Sequence, residues 1–263
     1  MSSLSTVDVL ASASPYVINF DYQLQLRKAL YAKHPDLNLP KYLLAPEIRQ
    51  LAALPLNHHH RMLMLALFNT GARINELLDL TPSRIDQLHI DVPTDTGMAT
   101  RTLTTVTLRT LKQQRRDRPG QGKKEDTRTV TLYDDHFARE LMSYIVTHGK
   151  NDRLPLFRNH EKSHDVRINP DTGRRRLNKK ALCDQTARNW LKGIEAQANA
   201  QGITLTVPLT PRTLRHSYAM HLLLNRVPRS HIQAQLGHKS EKNTLIYTDM
   251  LALDAMAFRS IPF

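Results

Sequence analysis

The chain of 263 residues has a single cysteine, Cys183. One thiol excludes an internal disulfide and any Cys-x-x-Cys zinc site, and it suits a reducing compartment. Long apolar runs are missing as well. The longest, Met62 to Phe68, is far short of the roughly 20 residues needed to cross a bilayer. No basic segment followed by an apolar one opens the chain, so neither a secretory leader nor a membrane partner is expected, and a cytoplasmic protein is. Internal repeats and low-complexity tracts are absent beyond the short His58 to His60 run. That run has no further residues at metal-ligand spacing and reads as an exposed turn; neither a metal nor a cofactor is expected.

Acidic residues are the other scarcity, with 24 against 37 Lys and Arg and a formal charge of +13. Such an excess favours a polyanionic partner, because each cation that neutralises a phosphate releases a condensed counterion. Its placement says more than its size. Residues 101–128 hold nine basic and three acidic residues and 150–192 hold twelve and five, while the remainder is balanced. Two solvated loops are the bland explanation. A DNA-facing surface is the sharper one, with Arg109, Arg115, Arg116, Arg118, Lys123, Lys124, Arg174, Arg175, Arg176, Lys179 and Lys180 as phosphate contacts.

The apolar share of 40% is enough for the core of one large domain. Residues 1–42 read as a short arm with a weakly helical pattern between Pro15 and His34. Helical signals then recur: Pro46 in a first turn, Met62 to Asn69 as a buried helix, and Ile74 to Leu80 ended before Pro82. Thr102 to Leu111 and Arg128 to Tyr133 are rich in Thr, Val and Leu and suit the strands of a hairpin whose tip is the first basic loop. Asp134 caps a helix with Phe137, Leu141, Tyr144 and Ile145 on one face, closed by Gly149. Helical periodicity resumes near Asn178, Thr210-Pro211 starts a further helix, and Pro228 starts one that ends at Gly237. The expected fold is mainly α with a small antiparallel β-sheet.

Four groups of residues stand out chemically. Arg73 and Glu76, in Thr70-Gly-Ala-Arg-Ile-Asn-Glu, are three apart on one helical face, so the carboxylate can orient the guanidinium; taken alone they are an ordinary surface ion pair. Arg212 and Arg215 lie on a helix otherwise apolar at Leu214, Ala219, Leu222 and Leu223. A half-buried guanidinium there is costly without an anion, either a phosphate or an internal carboxylate. His238 directly follows Gly237 at a helix end. Tyr247, nine residues later, is by itself a core aromatic, and it can attack phosphorus only if cations or a base offset a phenolic pKa near 10.

Taken in order, TGARINELLDL, a basic hairpin, RTLRHSYA and LGHKSEKNTLIYT resemble the catalytic domain of the tyrosine recombinases (phage integrase family) over about residues 43–250. The resemblance implies that Arg73 and Arg215 clamp the nonbridging oxygens of a scissile DNA phosphate, that Tyr247 attacks it to form a 3′-phosphotyrosyl bond, and that His238 binds the phosphate or assists proton transfer. Glu76 takes the acidic position beside the first Arg. The family's lysine, which protonates the 5′-oxygen, matches Lys112 best, with Lys123 and Lys124 as alternatives. Two departures accompany the match. Arg212 stands where the family has His, and an Arg is a poor proton shuttle at neutral pH. Only about 42 residues precede the matched region, where many members carry a helical core-binding domain, which points to a compact plasmid-resolvase or invertase-like member with a reduced N-terminal region.

The implied activity is site-specific recombination by cleavage and rejoining of double-stranded DNA on nucleoid or plasmid, in plasmid or mobile-element resolution, integration or inversion. A homotetramer on two sites is expected, with accessory DNA-bending proteins as further partners and the tail Leu251 to Phe263 as a protomer contact. The competing readings are a non-enzymatic DNA-binding regulator, with Pro228 to Tyr247 as a helix-turn-helix, and a type IB topoisomerase that relaxes DNA by the same chemistry.

Overall fold

The computed structural model describes residues 18–33, 39–94, 97–110, 126–149, 151–158, 182–238, 240, 244–245 and 247, together with the backbone of 166–168 and 175–177. The helices are α1 (Phe20–Lys33), α2 (Ala45–Ala52), α3 (His58–Thr70), α4 (Ile74–Leu78), α5 (Asp135–His148), α6 (Asp184–Ala200), α7 (Pro211–Leu224) and α8 (Arg229–Leu236). Strands β1 (Ile85–Thr94), β2 (Gly97–Arg109) and β3 (Thr127–Thr131) form one antiparallel sheet in that order, and β4 (Val166–Ile168) pairs with β5 (Arg175–Leu177). The mainly helical fold with a small antiparallel sheet is the one expected from the sequence.

The caps lie where the sequence places them. Asp134 accepts from the backbone N–H groups of His136 and Phe137 at the start of α5, and Thr210 accepts from Thr213 N–H at the start of α7. Strands β2 and β3 pair with Thr105 opposite Thr131 and Arg109 opposite Thr127, the expected hairpin. Three differences have physical causes. β1, paired to β2 from Ile85↔Val106 to Thr94↔Gly97, was not foreseen. Residues 86–91 are exposed on both faces, so burial imprints no alternation on them. The helix expected near Asn178 begins at Asp184, where Cys183 is the cap. The His58 to His60 run is not a turn but the first turn of α3, capped by the Asn57 side chain; His59 bonds the Tyr144 hydroxyl at 2.9 Å and His60 stacks on Trp190.

Among the described residues two apolar clusters form the interior. The larger surrounds α3, buried from Met62 to Thr70, and takes in α4, α5, α6 and the inner faces of β2 and β3. The second joins α7 and α8 to Leu30 of α1, Tyr42, Leu44 and Tyr247. α1 is fastened to this body by Arg27, which is fully buried. Its Nη atoms donate to Glu47 at 2.8 and 2.9 Å, to Tyr42 O at 2.6 Å and to Thr206 Oγ1 at 2.6 Å. Arg27→Ala strands the Glu47 carboxylate and the Tyr42 carbonyl. It should cost about 3–5 kcal/mol, the scale of a buried ion pair that loses one partner, read as a shift in urea midpoint.

Candidate active site

The candidate residues converge where two helices end. α3 stops at Gly71 and α8 at Gly237, both in the left-handed region at φ +56° and +63°. Each ending turns spare backbone carbonyls towards Arg215 on α7. Arg215 Nη1 donates to Gly71 O and Nη2 to Leu236 O, both at 2.6 Å. A cation at two helix C-termini lies at the negative ends of two macrodipoles. The partners of this buried guanidinium, 9% exposed, are thus carbonyls and not an internal carboxylate. Burial, then Arg73 and Arg128, lower its pKa to about 10, which leaves it charged at neutral pH.

Both glycines are constrained by more than φ. A Cβ on Gly71 would sit 2.4 Å from Tyr218 Cδ1, and one on Gly237 2.7 Å from Arg128 Cδ. After Gly237 the chain closes in a Schellman pattern, Gly237 N–H to Ala234 O and His238 N–H to Gln233 O, which fixes the position of His238.

Arg73 caps α4 and does not lie within it; its side chain is half exposed and bonds Glu76 Oε1 at 2.7 Å, while its backbone N–H bonds Oε2. Glu76 is 2% exposed and also accepts from Arg128 Nη2 at 2.6 Å. Burial opposes its ionisation, but Arg128 and then Arg73 overcome it and hold the carboxyl below its ordinary value. A depressed carboxylate gives stability that is full above its unfolded value of about 4.5 and is lost as pH falls through the lower folded value. Glu76→Gln should therefore be less stable than wild type at pH 7 by about 1–3 kcal/mol. The gap should narrow in urea melts taken at increasingly acid pH.

Tyr247, 2% exposed, has its hydroxyl oxygen 2.8 Å from His216 Nδ1, and Arg212 Nε donates to His216 Nε2 at 3.3 Å. His238 Nδ1 is 3.0 Å from Thr244 Oγ1. Burial raises the Tyr247 pKa to about 12 despite Arg215 and Arg212, so the resting side chain is a phenol and its proton must leave during any attack. Burial and the neighbouring guanidiniums, of Arg212 and Arg215 for His216 and of Arg215, Arg73 and Arg128 for His238, hold both imidazoles at about 4. They are neutral at pH 7. The stability they contribute is full above 6.5 and lost as pH falls towards 4.

Arg73, Arg188, Arg212, Arg215, His216, His238 and Tyr247 line one open cavity of about 400 Å³. Four guanidiniums around one cavity with a phenol and two imidazoles can hold a phosphodiester, supply a nucleophile and stabilise charge on a transferring phosphoryl group. Among the described residues no cluster of His, Cys, Asp or Glu could hold a metal ion, and no helix is long and apolar enough to cross a membrane.

The structure brings Arg73, Glu76, Arg212, Arg215, His238 and Tyr247 together. Arg109 is apart from the cavity, at the end of β2, with Nη1 3.8 Å from Asp79 Oδ2. Arg175 and Arg176 fall on β5, opposite Ile168 and Arg167. Lys112, Arg115, Arg116, Arg118, Lys123, Lys124, Arg174, Lys179, Lys180 and the tail 251–263 lie outside the described residues. Three contributors were missed. His216 stands within RTLRH, where the sequence alone gives it no role. Arg188 was counted in the second basic window but is helical, paired with Asp184 four residues earlier. Arg128 opens the second expected strand, and nothing local marks its bonds to Glu76 and to Gln235 O.

Residues 41–253 match the phage integrase family. The chain is 34% identical over 224 residues to a probable site-specific recombinase in the afa region of Escherichia coli, covering 85% of this chain and 76% of the relative. It is also 34% identical over 253 residues to a resolvase of Escherichia coli strain K12, covering 95% and 85%. Among solved structures the fold resembles the XerH site-specific recombinase bound to palindromic difH substrate, in a post-cleavage complex, with a TM-score of 0.54 at 21% identity. That match covers 84% of this chain and 53% of the XerH chain, so this chain spans about half the length of that recombinase. The XerA recombinase matches with a TM-score of 0.52 at 21% identity, over 86% of this chain and 66% of the other. Cavity, motif order and family match agree, and this chain belongs to the phage integrase family, the tyrosine-type site-specific recombinases.

Proposed function

We propose that this chain cleaves and rejoins double-stranded DNA at specific sites through a 3′-phosphotyrosyl intermediate, with resolution of plasmid or mobile-element DNA as its setting. The observation that carries the reading is that Tyr247, Arg73, Arg215 and His238 line one and the same cavity. A phosphodiester seated there meets Arg73 and Arg215 at its nonbridging oxygens, and His238 donates a further hydrogen bond. The anion offsets the guanidiniums that, after burial, hold the His238 pKa down in the free protein. Tyr247 then attacks phosphorus, its proton passes to water, and the P–O5′ bond breaks. Lys112 protonates the departing 5′-oxygen, with Lys123 or Lys124 in its place if the loop presents them instead. The phosphotyrosyl link keeps the energy of the broken diester, so a 5′-hydroxyl of a second duplex can reseal it without nucleotide or metal. Residues 43–250 form the catalytic unit in this scheme, residues 1–42 an arm that completes the DNA clamp, and the tail 251–263 a contact between the four protomers of a synapse.

The two basic windows supply phosphate contacts that set affinity and orientation, not base sequence. A supercoiled plasmid carrying two copies of the cognate site, incubated with the protein in EDTA, separates the three readings. Resolved or inverted circles are the expected product. Relaxed topoisomers alone indicate a type IB topoisomerase, and binding without any change of linkage indicates a regulator.

A further inference from the structure

We infer that Arg212 and His216 act as a pair on the nucleophile: Arg212 occupies His216 Nε2, which leaves the imidazole proton on Nδ1 to be donated to the Tyr247 oxygen that attacks phosphorus. This rests on Tyr247 being the nucleophile. A guanidinium nitrogen has only hydrogens to offer, so the ring nitrogen 3.3 Å from Arg212 Nε is the bare one. A neutral imidazole carries one N–H, and the nitrogen left to carry it is Nδ1, 2.8 Å from the phenolic oxygen. The two rings meet edge-on, with centroids 5.6 Å apart and planes at 61°. Burial and the adjacent guanidiniums keep the ring neutral at working pH, so the one-proton count holds.

The consequence is a division of labour. His216 cannot take the Tyr247 proton, because Nδ1 already bears one and Nε2 faces a cation. As attack proceeds the phenolic O–H proton passes to a water in the cavity, the oxygen lone pair forms the P–O bond, and the P–O5′ bond breaks as the 5′-oxygen gains a proton from the general acid. Through this His216 keeps its own proton, and its hydrogen bond strengthens as charge develops on the phenolic oxygen. The departure at position 212 thereby gains a purpose. A His there could donate or accept and would leave the tautomer of His216 free, whereas an Arg fixes it. His216 touches the reacting oxygen and is a catalytic residue in this scheme; Arg212, acting through it, is a positioning residue.

Long-range ¹H–¹⁵N spectra of His216 in the wild-type protein across the neutral range should show Nδ1 protonated and Nε2 bare. In Arg212→Leu the Nε2–H form should appear. On a nicked suicide duplex, His216→Asn, whose amide N–H falls near Nδ1, should form adduct within about tenfold of wild type. His216→Gln, whose amide falls near Nε2, and His216→Ala should lose about 10²- to 10³-fold, the effect of removing one preorganised donor to a developing oxyanion, at unchanged DNA affinity. An Nε2–H tautomer in the wild type overturns the inference, and so does a His216→Asn rate no better than that of His216→Ala. The spectra decide even where a variant fails to fold. Absence of any Tyr247 adduct in the wild type would overturn the nucleophile assignment instead, which the tautomer measurement does not need.

Discussion

Tyr247→Phe should bind DNA as wild type does and lose covalent adduct formation by on the order of 10⁴-fold or more, the scale seen when a covalent nucleophile is removed. The expectation follows from where the hydroxyl lies. The ring is buried in the cluster formed by α7, α8 and α1, and Phe fills that space without a cavity. Only the oxygen, with its bond to His216 Nδ1, is lost. Stability should fall by about 1 kcal/mol, one hydrogen bond, so a loss of activity cannot be ascribed to unfolding. Gel shift, thermal melt and denaturing gel on the same preparation separate these effects. An adduct that persists in the variant would place the nucleophile elsewhere.

Arg215→Lys should be nearly as damaging, with cleavage down about 10²- to 10³-fold. A planar fork lets Arg215 bond Gly71 O and Leu236 O with separate Nη groups and still present N–H groups to the cavity. A lysine ammonium is a single point with three donors and cannot span both helix ends and the phosphate. Stability should also drop by about 1–3 kcal/mol for a buried carbonyl left without a donor. Single-turnover cleavage against DNA affinity is the informative comparison. If charge at this position were all that mattered, Lys would serve, and a near-wild-type rate would remove the bidentate geometry from the account.

The parts of the site that the sequence revealed are those whose signals are local. Thr210-Pro211 and Gly237 are helix boundaries written in single residues, and they place Arg215 and His238 once the helices form. Arg73 and Glu76 are three apart and touch for that reason. What stayed hidden depends on contacts between distant segments. Arg128 reaches Glu76 across 52 residues and the Gln235 carbonyl across 107. The Gln235 side chain accepts from Thr131 N–H and so ties β3 to α8. No periodicity records such pairings. β1 escaped because a ribbon wet on both faces, with Leu88 and Ile90 exposed, carries no burial pattern. The apolar setting of Arg215 was legible, but its partners were not, since carbonyls at helix ends leave no mark in residue types.

Those distant contacts also give the site its rigidity. Arg128 is held by Glu76 and by a carbonyl of α8, and Glu76 in turn holds Arg73. Arg73 and Arg215, the two ends of the proposed phosphate clamp, are thus connected through one buried carboxylate and two helix termini. In the proposed reaction such preorganisation aims positive charge at the place where negative charge develops in the transition state.

The most direct test of the account is to trap the protein on a nicked suicide duplex of its cognate DNA in EDTA, digest the adduct and locate the nucleotide-bearing residue by mass spectrometry. The account predicts a 3′-phosphoryl group on the Tyr247 oxygen. A link to any other residue, or cleavage that leaves no protein attached, would contradict it.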